Sequence, residues 1–225
     1  MGMGGRFGTG RGTPAAGREE LARRLRLTLV ISGEEARPRT IVELAEKAFA
    51  GGATALQLRE KGLAGREHYG LARDLAAFCR ERGRLFIVND RLDLALASGA
   101  DGLHLGQGDL PARVARAHWP EGKILGISAS TVGEARAARE AGADYVGVGA
   151  IFRTGSKSEA GEVERDQIGP INSLGLVTVA IGGIGQGNAA LVWSMGFDGL
   201  AVISALARAA DPEGTARAIM AARPA

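Results

Sequence analysis

The stretch "TALQLREK" at residues 54–61 sets Gln57, Arg59 and Lys61 at every second position, with Leu56 and Leu58 between them. Side chains alternate faces along a strand, so one face is apolar and the other carries an amide and two cations, a set suited to binding an anion. Two further stretches end in carboxylates: "LFIVND" closes on Asn89 and Asp90, and "GLHLGQGD" closes on Asp109. If these runs are neighbouring parallel strands, about 4.8 Å apart, both carboxylates converge just past the strand ends and can share one ion. With oxygen donors in view and no His or Cys pair beside them, the expected ion is hard. Mg²⁺ held by one or two carboxylates and completed by substrate phosphates is the usual arrangement. The plainer alternative is that each aspartate caps the helix after it, Asp90 before "RLDLALA" and Asp109 before "LPARVAR".

Other polar groups cluster in the same kind of place. The loop "FRTGSKSEAGE" (152–162) carries Thr154, Ser156 and Lys157, and two of the four lysines in a chain with 24 arginines, Lys61 and Lys157, follow β-rich runs. A compact ammonium suits a crowded anion better than a forked guanidinium. "AIGGIGQGN" (180–188) and "VISA" (202–205) put glycine backbone and Ser204 where free N–H groups can hold a phosphate, although simple turns read the same way. His104 shares the phase of Gln57, with a structural role favoured over a catalytic one. His68 and His118 fall on or near helices, as surface or packing residues. No pair of side chains reads as a nucleophile with its base.

These residues must be positioned by eight β-rich runs, at 25–32, 55–60, 85–90, 102–107, 123–128, 145–151, 177–183 and 199–204, alternating with amphipathic helices such as "TIVELAEKAFAGG", "REHYGLARDLAAFCRERG" and "TVGEARAAREAG". "GGATALQL", "SGADGLHL", "AGADYVGV" and "MGFDGLAV" repeat one pattern, a glycine helix end leading into an even-numbered strand. Gly52, Gly99, Gly142 and Gly196 are separated by 47, 43 and 54 residues, each interval holding two β/α units. Four equivalent quarters predict an α/β fold of one domain, a closed (β/α)8 TIM barrel, with a doubly wound open sheet as the alternative. In a barrel, helices cover the outer strand face. Leu56 and Leu58 then pack outward, and Gln57, Arg59 and Lys61 point into the barrel or its open carboxyl end, where charges are tolerable.

The chain has 225 residues, 45% of them hydrophobic, and no apolar run of the ~18 residues a membrane span needs. Residues 1–24 are Gly- and Arg-rich and read as a flexible tail, with the barrel over 25–225. Arg6, Arg11, Arg18, Arg23 and Arg24 against Glu19 and Glu20 give this tail the whole net charge of +3, so the body is neutral. Without a basic stripe, and with 4% aromatics, nucleic acid is not an expected partner and neither is a membrane. The single cysteine, Cys79, lies at helical spacing with Leu75 and Phe78 as a packed thiol, which fits a reducing cytoplasm.

From the first strand to the last helix the chain resembles the thiamine phosphate synthase family. The resemblance rests on "QLREK" (57–61), "ND" (89–90), "HLGQGD" (104–109), "GIS" (126–128), the Thr-x-Ser-Lys loop (154–157), "AIGGI" (180–184) and "VIS" (202–204). It implies that Gln57, Arg59, Lys61, Asn89, Ser128 and Lys157 hold an aminopyrimidine diphosphate and that Asp90 and Asp109 hold its Mg²⁺. It further implies that Thr154, Gly155, Ser156, Gly183, Ile203 and Ser204 hold a thiazole phosphate or its carboxylated form. The implied reaction is a transfer of the pyrimidinylmethyl group to the thiazole, with Arg59, Lys61 and Lys157 stabilising the departing diphosphate. The implied partners are small phosphorylated molecules, and a homodimer is compatible with the family. Arg153, Gly155 and Ser156 stand where that family's loop usually has Pro, Pro or another residue, and Thr. The TenI-like thiazole tautomerases share the barrel and the loop character but carry a histidine where this chain has Ser130, and they tend to lose the metal aspartates. A non-catalytic ligand-sensing relative is the alternative of another class.

Overall fold

The computed structural model describes residues 15–153 and 162–224. In chain order the elements are α1 (Ala15–Arg24), β1 (Leu27–Ile31), α2 (Gly33–Ala36), α3 (Ile41–Ala50), β2 (Ala55–Leu58), α4 (Gly65–Glu81), β3 (Leu85–Asn89), α5 (Leu92–Ser98), β4 (Gly102–Leu105) and α6 (Ala112–His118). There follow β5 (Ile124–Ala129), α7 (Val132–Glu140), β6 (Tyr145–Val148), α8 (Arg165–Asn172), β7 (Val177–Ile181), α9 (Ala189–Ser194), β8 (Gly199–Val202), α10 (Ser204–Ala207) and α11 (Pro212–Ala221). The eight strands pair in parallel in sequence order, and β8 returns to β1 through Leu27–Leu200 and Thr28–Ala201, which closes the barrel and excludes the open sheet. Each run expected as a strand forms one. Five of the eight, β2, β4, β6, β7 and β8, end two or three residues short of the expected limit, because the chain leaves the sheet to build the mouth.

The period-two reading of β2 holds. Leu56 and Leu58 lie in the layer between barrel and helices with Leu29, Ile31, Phe86 and Val88, whereas Ala55 belongs to a separate inner cluster with Val30, Leu85, Ile87, Tyr145 and Val179. Gln57 shares the inner face and is only 6% exposed. Gly52, Gly99, Gly142 and Gly196 take φ of 105°, 71°, 85° and 87°. They turn the chain out of α3, α5, α7 and α9 through the left-handed region that glycine enters without strain. Capping boxes of Thr40 with Glu43 and Thr131 with Glu134 start α3 and α7.

Residues 15–24 correct the expectation of a flexible tail over 1–24. They form α1, whose Leu21 and Ala22 are buried with Leu25 in the inner cluster. Arg18 donates to the Leu176 carbonyl (3.1 Å) and pairs with Asp198 (2.7 Å), just ahead of β7 and β8. The helix therefore closes the amino-terminal end of the barrel, and its apolar stripe was hidden in the sequence by the glycines before it. Leu21→Asp would push a charge into that seal. It should cost about 2–4 kcal/mol, which a thermal melt would read as a drop of about 5–10 °C in Tm; an unchanged melt would mean that α1 does not plug the barrel.

Cys79 is fully buried in α4, and burial, with a smaller push from Asp101, raises its thiol to about 12. The native protein at pH 8 should therefore leave an aromatic disulfide reagent unreacted, and urea should release one titratable thiol; rapid native labelling would contradict this packing. Among the described residues no helix is long and apolar enough to cross a membrane.

Candidate active site

Barrel interiors are normally filled by side chains, but the carboxyl half of this one contains a pocket. Gln57, Arg59, His104, Ser128 and Tyr145 line it, against the apolar wall of Val179 and Ile181. The polar groups form a connected chain. The His104 Nδ1 lies 2.9 Å from the Tyr145 hydroxyl, its Nε2 lies 3.0 Å from Ser128 Oγ, and Tyr145 is also hydrogen-bonded to the Gln57 side chain. Burial pushes the Tyr145 phenol well above its ordinary range, opposed in part by the Gln57 hydrogen bond, so Tyr145 stays protonated.

Two strand glycines make room for this chain. A Cβ on Gly126 would sit 2.1 Å from Tyr145 Cε1, and one on Gly147 would sit 3.0 Å from His104 Cε1. The glycines in "GIS" and "YVGV" are thus spaces for a neighbour's ring. Tyr145 was missed as a site residue because its position at the head of an apolar strand marks it as core. His104, expected to be structural, bridges Tyr145 to Ser128.

Asp90 and Asp109 meet at the mouth above this pocket. Asp90 is the only non-glycine among the described residues with positive φ (65°), and Asn89 Nδ2 donates to its Oδ1. Asp109 Oδ2 accepts from Gly106 N at 2.6 Å. Neither aspartate caps the next helix, since the N-cap positions of α5 and α6 are Arg91 and Pro111, without side-chain cap bonds. Burial, a hydrogen bond with Asp109 and repulsion from its charge push the Asp90 carboxyl up to about 6, against the pull of Lys61 and Arg59. Two carboxylates forced this close are stabilised by sharing a cation. Among the described residues no group of three or more His, Cys, Asp or Glu forms a metal cluster, so an ion held here would take most of its ligands from substrate or water. That suits Mg²⁺.

Arg59 is half-buried on the pocket wall and Lys61 is exposed on the rim. Between them Glu60 turns away and accepts from the backbone N–H groups of Gly33 (3.0 Å), Lys61 (3.0 Å) and Gly62 (3.1 Å). Burial resists its ionisation, yet these three donors hold its carboxyl below the ordinary range. Glu60 fixes the turn that presents both cations, a role the sequence reading had not given it. Asn89 is buried at the end of β3, beside Asp90.

A second pocket adjoins the first and shares Ile181 and Ala201 with it. Gly183, Ile203 and Ser204 line it with Gly149, Gly182 and Ile184. Asn188 braces its glycine loop, accepting from Gly185 N (2.8 Å) and donating to the Gly183 carbonyl (2.9 Å). Thr154, Gly155, Ser156 and Lys157 lie outside the described residues. Ser130 is engaged at the start of α7, its Oγ donating to Glu134 at 2.8 Å. Of the other histidines, His68 is buried in α4 and His118 is exposed at the end of α6.

The family model for thiamine monophosphate synthase matches residues 27–206. The thiamine-phosphate synthase of Moorella thermoacetica is 51% identical over 193 residues, 85% of this chain and 92% of that protein. The thiamine-phosphate synthase of Coprothermobacter proteolyticus is 45% identical over 203 residues, 90% and 96% of the two chains. Among solved structures, thiamine phosphate pyrophosphorylase from Pyrococcus furiosus superposes with a TM-score of 0.82 at 37% identity, covering 90% of this chain and 96% of that one.

Proposed function

The chain belongs to the thiamine monophosphate synthase family, and from that premise we propose that its barrel mouth joins an aminopyrimidine diphosphate to a thiazole phosphate, releasing diphosphate and giving thiamine phosphate. The observation that carries this reading is the pair of contiguous pockets, one lined by Gln57, Arg59, His104, Ser128 and Tyr145, the other lined by glycine backbone and Ser204, with Ile181 and Ala201 common to both. Two substrates held on either side of a shared wall are brought to reacting distance, and that positioning can supply much of the rate.

In the reaction the bond between the pyrimidine methylene carbon and the diphosphate oxygen breaks, and the electron pair leaves with the diphosphate. The ring amine stabilises the resulting cation. The thiazole nitrogen then donates its lone pair to the methylene carbon. No proton has to be removed, which matches a site without a nucleophile and base pair. The protein's work is electrostatic and geometric. Arg59 and Lys61 face the leaving diphosphate, and Lys157 joins them by family resemblance. Gln57 and Ser128, oriented through Tyr145 and His104, hold the pyrimidine ring, while Asn89 orients Asp90. Asp90 and Asp109 would hold Mg²⁺, which when bound neutralises charge developing on the diphosphate. Gly183, Ile203 and Ser204, with Thr154, Gly155 and Ser156, hold the thiazole phosphate. A single buried thiol supports placement in the cytoplasm.

Incubating the purified protein with both phosphorylated halves should yield one diphosphate for each thiamine phosphate, and omitting the thiazole phosphate should suppress both. Steady diphosphate release without thiamine phosphate would identify a hydrolase instead.

A further inference from the structure

Thr28 is 3% exposed on β1, and its Oγ1 has no hydrogen-bond partner among the described residues. It lies in the barrel pocket beneath Gln57: β1 pairs Thr28 with Ala55 and Val30 with Gln57, so Thr28 stands one interior layer deeper. On its other side it is level with Ala201. Two alanines cannot satisfy a hydroxyl, and burying one without a partner costs stability. Valine has the same shape and suits a strand equally well without that cost. Among the described residues, the one buried hydroxyl left unpaired therefore points into the barrel pocket.

We propose that Thr28 is a specificity-determining contact for the heteroaromatic ring of the diphosphate substrate, donating its hydroxyl to a ring nitrogen at the inner edge. The inference rests on the transferase reading given above and deepens it. A planar ring held by Gln57 and Ser128, with one face on Val179 and Ile181, directs its diphosphate outward to Arg59, Lys61, Asp90 and Asp109. Its opposite edge then faces the barrel floor. Arg59 and Lys61 read the charge, which any diphosphate ester supplies, whereas Thr28 reads the ring.

Steady-state kinetics of Thr28→Val and Thr28→Ser test this. Thr28→Val should raise KM for the pyrimidine diphosphate about 10-fold, the usual effect of losing one substrate hydrogen bond, and should leave KM for the thiazole phosphate unchanged. Thr28→Ser should stay close to the parent. Binding of inorganic diphosphate with Mg²⁺ should be the same in parent and Thr28→Val, because that probe lacks the ring. The Tm of Thr28→Val should equal or exceed that of the parent, since an unpaired buried hydroxyl has been removed. An unchanged pyrimidine KM in Thr28→Val, or equal rises for both substrates, would overturn the inference while leaving the transferase reading intact. A parent protein that makes no thiamine phosphate would instead overturn that reading.

Discussion

Asp90→Asn should lower turnover roughly 10³-fold, the scale of losing a preorganised charge contact at the leaving group, while raising the thermal stability of the metal-free protein. Both effects have one cause. The Asp90 carboxyl is pushed up to about 6 by burial and by Asp109, so above that pH the fold holds two ionised carboxylates that disfavour one another. A folded-state value above the unfolded one means that stability falls as pH rises through the interval between them, from near the ordinary carboxylate range to about 6. Asparagine removes that loss, and it tolerates the left-handed backbone at position 90, with φ of 65°, better than alanine does. Melts with a chelator between pH 4 and 8 should show the parent losing stability over this window and Asp90→Asn losing less. Asp109→Asn should impair turnover similarly, and neither change should weaken thiazole phosphate binding. A variant with lower stability and full activity would remove the metal role from this pair.

Arg59→Ala should reduce kcat by about 10²- to 10³-fold with a smaller change in KM, because the charge it meets grows as the diphosphate departs. Arg59 is also among the cations that draw Asp90 towards ionisation, so its loss should shift the metal-binding pH profile upward as well. Arg59→Lys should restore part of the rate, since an ammonium supplies charge without the bidentate fork. A variant whose KM rises while kcat is unchanged would assign Arg59 to uniform substrate binding rather than to the departing group.

The barrel and part of its candidate site were legible because both obey short periods. Alternation in "TALQLREK" separated Leu56 and Leu58 from Gln57 and Arg59, and four glycine-led repeats implied closure. Asp90 and Asp109 were readable as a pair only once β3 and β4 were taken as neighbours. The Gln57–Tyr145–His104–Ser128 chain was not readable, because it spans four strands and depends on Gly126 and Gly147 leaving space for rings from other strands. No single strand carries that information. The helix α1 was hidden for the opposite reason: averaging its composition with the glycines before it diluted a short stripe of Leu21, Ala22 and Leu25. Thr28 looked like an ordinary strand residue until its neighbours proved to be alanines.

A crystal structure with Mg²⁺, thiamine phosphate and diphosphate tests the division of the mouth most directly. The diphosphate should lie against Arg59 and Lys61 with the metal on Asp90 and Asp109, and the thiamine phosphate should place its phosphate at Gly183 and Ser204 with its pyrimidine among Gln57, Tyr145 and Ser128. Diphosphate in the glycine-lined pocket, or a metal that touches neither aspartate, would contradict that arrangement.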